Sequence, residues 1–137
     1  MQHDTEKPAK LSLHFVEAET QIRAELVRVG SSLGHHCEIY ADFAEIAIHP
    51  PRSGIIVVRD RPELGGIGMA LDRLTSLGIS LPIVAMDVDP SPGKVVRAVK
   101  EGALDYLVLP LRPERLAASL ARIGHEAAHV SAMRQRM

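Results

Sequence analysis

The stretch LPIVAMDVDPSPGKVVRAVKEGALDYLVLPL, residues 81–111, decides the fold. An apolar run (Leu81, Ile83, Val84, Ala85, Met86) stops at two acids, Asp87 and Asp89. Pro90 and Pro92 then open a predicted helix whose apolar positions Val95, Val96, Ala98 and Val99 are expected on one side. Gly102 ends it, as the residue type that accepts a left-handed cap. A second apolar run, Tyr106 to Leu109, leads into Pro110. Strand, helix and strand with short connections make a parallel crossover unit. Its acids fall where the first strand ends, the edge at which open α/β sheets carry their chemistry.

The rest of the chain repeats this pattern. Leu11 to Val16 is a short apolar run ending in Glu17 and Glu19. Ile22, Leu26, Val27 and Val29, up to Gly30 or Gly34, keep the 3.6-residue period of an amphipathic helix. His36 to Tyr40 reads as a weaker strand, followed by a short helix with Phe43, Ile46 and Ile48 that Pro50-Pro51 closes. Ile55 to Val58 is the third strand, and Met69 to Leu77 a helix ended by Gly78. Proline suits a first helical turn, so the last helix is expected to start near Pro113. The expectation is an α/β domain of five strand-and-helix pairs over residues 10–123, with a disordered lead-in at 1–9 and a helical extension at 124–137.

A chain of 137 residues is one domain's worth, able to bury about two-thirds of its unfolded surface. The net charge of −1 argues against a nucleic-acid surface. There is no apolar run of about 18 residues to span a membrane. The opening MQHDTEKPAK is polar and partly acidic, unlike a secretory signal. A cytoplasmic location is expected. Cys37 reads as a small core residue of a buried strand rather than a reactive thiol. His125 and His129, four apart, read as solvated helix residues with no third metal ligand in evidence. Gly65-Gly66-Ile67-Gly68 lacks the phosphate-loop lysine and the dinucleotide spacing, so it reads as a flexible loop.

Together these residues resemble the receiver domain of two-component response regulators. The likeness covers roughly Leu11 to Ile123, and KEGALDYLVLP is its most specific segment. It implies a flavodoxin-like (βα)5 doubly wound parallel sheet in the strand order 2-1-3-4-5. Receivers place two adjacent acids after strand one to hold Mg²⁺ and a phosphoacceptor Asp at the end of strand three. A hydroxyl ends strand four and a Lys ends strand five. Here the first acid matches Glu17, but Ala18 follows it, and Glu19 comes one residue late. Counting back four from Pro62, with Gly66 four beyond it, puts Val58 at the acceptor position. Asp87 stands where the hydroxyl belongs and Leu109 where the lysine does.

Phosphoryl transfer needs a nucleophilic oxygen and cations to absorb charge on the equatorial oxygens. Val58 offers no oxygen, Leu109 no charge, and Asp87 would repel the anion. The chain therefore reads as a non-enzymatic, degenerate receiver that acts in signalling or transcriptional control by protein contact, independent of phosphorylation. Two alternatives stand beside it: phosphorylation of Asp60 in a phosphorelay, and small-ligand binding in the same crevice. The acids Glu17, Glu19, Asp60, Asp87 and Asp89 are expected to converge at the strand ends, with Arg59 and Arg61 supplying countercharge. No cofactor is expected; Mg²⁺ or Ca²⁺ on Glu17, Glu19 and Asp60 is the lesser reading.

Expected partners are a second copy and a histidine kinase, output domain or regulatory protein. Neither nucleic acid nor membrane is expected to bind directly. The dimer and switch surface is expected on Lys94, Arg97, Tyr106, Arg112, Leu120 and Ile123. Leu116, Leu120, Ile123, Ala127 and Val130 form a short heptad seam that would extend it.

Overall fold

The computed structural model describes residues 10–135, and side chains as far as Gly124. The expected lead-in at 1–9 lies outside the described residues, as do the side chains of His125, Ala127, His129 and Val130. Five strands make one parallel sheet: β1 (Ser12–Val16), β2 (His36–Tyr40), β3 (Ile55–Arg59), β4 (Ile83–Val88) and β5 (Tyr106–Leu109). Their order is β2-β1-β3-β4-β5. The helices are α1 (Thr20–Ser32), α2 (Phe43–Ile48), α3 (Gly66–Ser76), α4 (Pro92–Lys100) and α5 (Pro113–Gln135). This is the flavodoxin-like doubly wound arrangement.

Strand alternation sorts the apolar side chains into two layers. Leu13, Phe15, Val57, Val84, Met86 and Leu107 pack with Leu26 and Val29 of α1 and Leu116, Leu120 and Ile123 of α5. Val16, Ile56, Val58, Ile83 and Ala85 pack with Ile46 of α2, Ile67, Ala70 and Leu74 of α3 and Ala98 of α4. Val57, Val84 and Leu107, expected at the centre of the sheet, are fully buried. A strand covered on both faces must be apolar throughout, which is why these runs do not alternate with polar residues.

Several sequence expectations are corrected. The seam residues Leu116, Leu120 and Ile123 lie in the core beneath α5, so they cannot serve a dimer contact. Cys37 is only half-buried, because β2 is an edge strand. Helix α3 begins at Gly66, taking in glycines expected to form a loop; a 3-10 turn (Pro62–Leu64) and Gly65 at φ +99° steer the chain into it. Asp87 and Val88 belong to β4, because β5 pairs with them. On α4 only Ala98 is buried, while Val96 and Val99 stand about half exposed. Gly102 follows at φ +125°, and a Cβ there would sit 2.5 Å from Leu71 Cδ1 on α3. The left-handed backbone there demands glycine, since the Leu71 tip could shift.

Candidate functional site

Adjacent parallel strands end at one edge of the sheet, and the register brings their last residues level. Val16 pairs with Val58 and Arg59 with Met86. Glu17, Arg59, Asp60 and Asp87 are therefore neighbours although the chain separates them widely. Asp60 donates its backbone N–H to the Met86 carbonyl at 2.8 Å, which extends the β3–β4 pairing past the end of β3.

The guanidinium of Arg59 is the hub. Its Nη1 donates to Glu17 Oε1 at 2.9 Å and to Glu19 Oε2 at 3.0 Å, and its Nε donates to Asp87 Oδ1 at 2.8 Å. Burial favours the neutral form of Arg59, but the hydrogen bonds to Glu17, Asp87 and Glu19 outweigh it and raise the pKa. Lys94, from the first turn of α4, donates to the other oxygen of Asp87. Burial works to raise the Asp87 carboxyl; Lys94, Arg59 and the Val88 N–H overcome it and hold it below the usual carboxylate value. The Glu17 Oε2 accepts the Glu19 N–H at 3.0 Å, so both oxygens of this buried acid are engaged.

Asp60 turns the other way. Its Oδ2 accepts the Tyr106 hydroxyl at 2.8 Å, and both residues are buried. Burial, then the hydrogen bond and charge of Asp60, push the Tyr106 phenol well above its ordinary pKa. Neutral Tyr106 is thus held as a donor.

Some expected site residues lie elsewhere. Val58 and Leu109 are packed in the two opposite core layers. Ala18 is exposed beside the site. Arg61 lies 3.6 Å from Glu63 in its own loop, leaving Arg59 to balance the acids. Asp89 is exposed, at φ 50°. Lys94 and Tyr106, expected on an outer face, point inward, and Arg97 pairs with Glu101 at 3.1 Å on α4.

The residues do not fit a divalent ion as they stand. Among the described residues no group of three or more His, Cys, Asp or Glu is arranged to hold a metal. Glu17 and Glu19 spend carboxylate oxygens on Arg59, and Asp60 faces Tyr106. An Arg within about 3 Å of two of the candidate ligands also repels a second cation.

A scan against protein-family models matches none. The two-component response regulator ARR14 of Arabidopsis thaliana is 36% identical over 55 residues, which is 40% of this chain and 14% of that protein. Among solved structures, full-length FixJ from B. japonicum has a TM-score of 0.72 at 22% identity, covering 91% of this chain and 63% of that chain. The Vibrio cholerae chemotaxis protein CheY4 has a TM-score of 0.66 at 23% identity, over 83% of this chain and 98% of that chain. The chain has the fold of response-regulator receiver domains. In sequence, this chain is similar to part of the two-component response regulators. It spans about one-seventh of the length of the Arabidopsis regulator.

Sequence reasoning missed two parts of this receiver's site. Lys94 looked like a surface charge on α4. The usable signal was Ser91, whose Oγ accepts the Lys94 N–H at 3.2 Å and caps the helix so that Lys94 sits in the first turn above Asp87. The Asp60–Tyr106 contact joins residues 46 apart in the chain, and no local pattern signals it.

Proposed function

We propose that this receiver signals by protein contact without accepting a phosphoryl group. One observation carries the reading: Arg59 fills the acidic pocket with an internal cation, joined at once to Glu17, Glu19 and Asp87. In a metal-dependent receiver those acids would be available to an ion that then neutralises phosphate. Here they are committed to a side chain that stays protonated at any physiological pH. The residue aligned with the acceptor, Val58, is a core residue without an oxygen to offer. Asp60 is the nearest alternative acceptor, yet it is buried and occupied by Tyr106.

The partner class on this reading is protein: a histidine kinase, an output module, or a second copy of the chain. The outward contact face is redrawn from the expected one. It consists of Val96 and Val99 on α4 and Val108 on β5, beside a groove lined by Arg112, Glu114 and Ala118. Arg112 and Glu114 carry opposite charges at the rim, so a two-fold axis through the groove would pair each with its counterpart.

Treatment with acetyl phosphate, or with beryllofluoride, in the presence of Mg²⁺ tests the first claim. Intact-mass analysis and backbone NMR are expected to give the spectrum of untreated protein in both cases. An adduct that disappears in Asp60→Asn would overturn the reading and make Asp60 the acceptor.

A further inference from the structure

Helix α4 has little apolar footing. Over nine residues it buries Ala98 fully and Val95 in part, and its Val96 and Val99 are half exposed. Burial of so few side chains leaves its position to be set by something else. Two charged contacts, one at each end, supply it. Lys94 in the first turn reaches the Asp87 carboxylate. At the other end Glu101 crosses to α3, where its Oε1 accepts the Gly68 N–H at 3.0 Å. Its Oε2 accepts from Arg97 Nε at 3.1 Å.

The contact at α3 answers a local need. The first N–H groups of a helix have no partner within it. Gly65, at the N-cap of α3, has no side chain to offer. The carboxylate of Glu101 does this work from a different helix, and the negative charge also suits the positive end of the α3 dipole. The hydrogen bond from Gly68 and then Arg97 hold the Glu101 carboxyl below its usual pKa. The fit on the α3 side is tight at Gly66 and ordinary contact at Gly68. A Cβ on Gly66 would lie 3.2 Å from Glu101 Oε1, and one on Gly68 would lie 3.6 Å from its Cδ. Gly66, at φ +65°, thus has two physical reasons: its left-handed backbone and the carboxylate beside it.

We infer that Glu101 is a positioning residue, a cap supplied in trans that fixes α4 against the start of α3, so that two charges rather than a hydrophobic face hold α4 in place. Breaking either contact loosens α4 while both core layers stay packed. The inference stands apart from phosphorylation, since an adduct on Asp60 would leave the Glu101 contact intact.

Amide hydrogen exchange on the full chain and on Glu101→Ala, Glu101→Gln and Lys94→Met tests it. In Glu101→Ala, exchange at Gly68 and along residues 95–100 is expected to speed up tenfold or more, with β1, β3 and β4 unchanged. Glu101→Gln keeps an oxygen that accepts the Gly68 N–H and is expected to restore part of that protection. Lys94→Met is expected to loosen the first turn of α4 and spare Gly68. Unchanged α4 exchange in Glu101→Ala would overturn the inference, as would acceleration spread evenly over all strands.

Discussion

Arg59 shows how one side chain can change what a pocket does. Removing it leaves Glu17 buried without a countercharge, and Asp87 with Lys94 alone. Breaking a buried ion pair by deleting one partner costs about 3–5 kcal/mol, because the remaining charge keeps its desolvation penalty. Arg59 side-chain exposure is 15%, so solvent screens little of this. Arg59→Met is therefore expected to destabilise the domain by about 3 kcal/mol in urea unfolding at pH 7. The double change Glu17→Gln with Arg59→Met should recover a large part, since it removes the orphaned charge as well. A loss below about 0.5 kcal/mol in the single variant would show that the network contributes nothing.

Among the elements, the apolar part of the contact face shifts from α5 to α4 and β5. The heptad positions of α5 are consumed by the core as far as Ile123, and the half-exposed apolar residues lie on α4 and β5. The proposed homodimer uses Val96, Val99 and Val108. Sedimentation at micromolar concentration is expected to find dimer in the full chain and in a version ending at Ile123. Val99→Asp, which places a charge in the contact, should leave monomer. Monomer in the full chain removes the dimer claim; loss of dimer on truncation alone moves the interface to the tail.

At the scale of the whole molecule, stability should fall with acid in two separate windows. His14 is buried in β1, with Nε2 2.9 Å from the Ser53 carbonyl and Nδ1 3.2 Å from the Tyr40 hydroxyl. A carbonyl only accepts, so Nε2 carries the proton and Nδ1 accepts from Tyr40. Burial lowers the His14 pKa, with Ser53 and Glu38 opposing and His36 assisting. The unfolded chain therefore binds a proton first, and stability present above about pH 6.5 declines as pH falls through that value. His35, also lowered by burial, acts in the same direction.

The second window belongs to Asp87, Glu101 and Asp105, all held below the ordinary carboxylate value. Their contribution is present above about pH 4 and is lost as pH falls further. His14→Gln is expected to flatten the loss between about pH 7 and 5, at most about 1.4 kcal/mol per pH unit, and to leave the acid limb in place. Urea midpoints measured across pH would check both, and an unchanged upper window in His14→Gln would refute the role of His14.

The sequence by itself determined the strands, their parallel sense and the end of the sheet at which the acids gather. Each of these follows from a local signal: continuous apolar runs, helices of 3.6-residue period between them, and acids or glycines as stops. The resemblance to receivers further implied that Val58, Asp87 and Leu109 stand where a receiver keeps an acid, a hydroxyl and a lysine. Only the tertiary structure decided which charges meet. Arg59 rather than Arg61 turned to the acids because it ends β3 level with Met86, one residue before Asp87, and next to the end of β1 at Glu17, whereas Arg61 falls in the loop beyond. Asp60 found Tyr106 across 46 residues of chain. On α4, Val95, three residues before Ala98, packs in part against the core, yet Val96 and Val99 remain half exposed, because periodicity gives a helix an apolar side and only its neighbours determine how much of that side is covered.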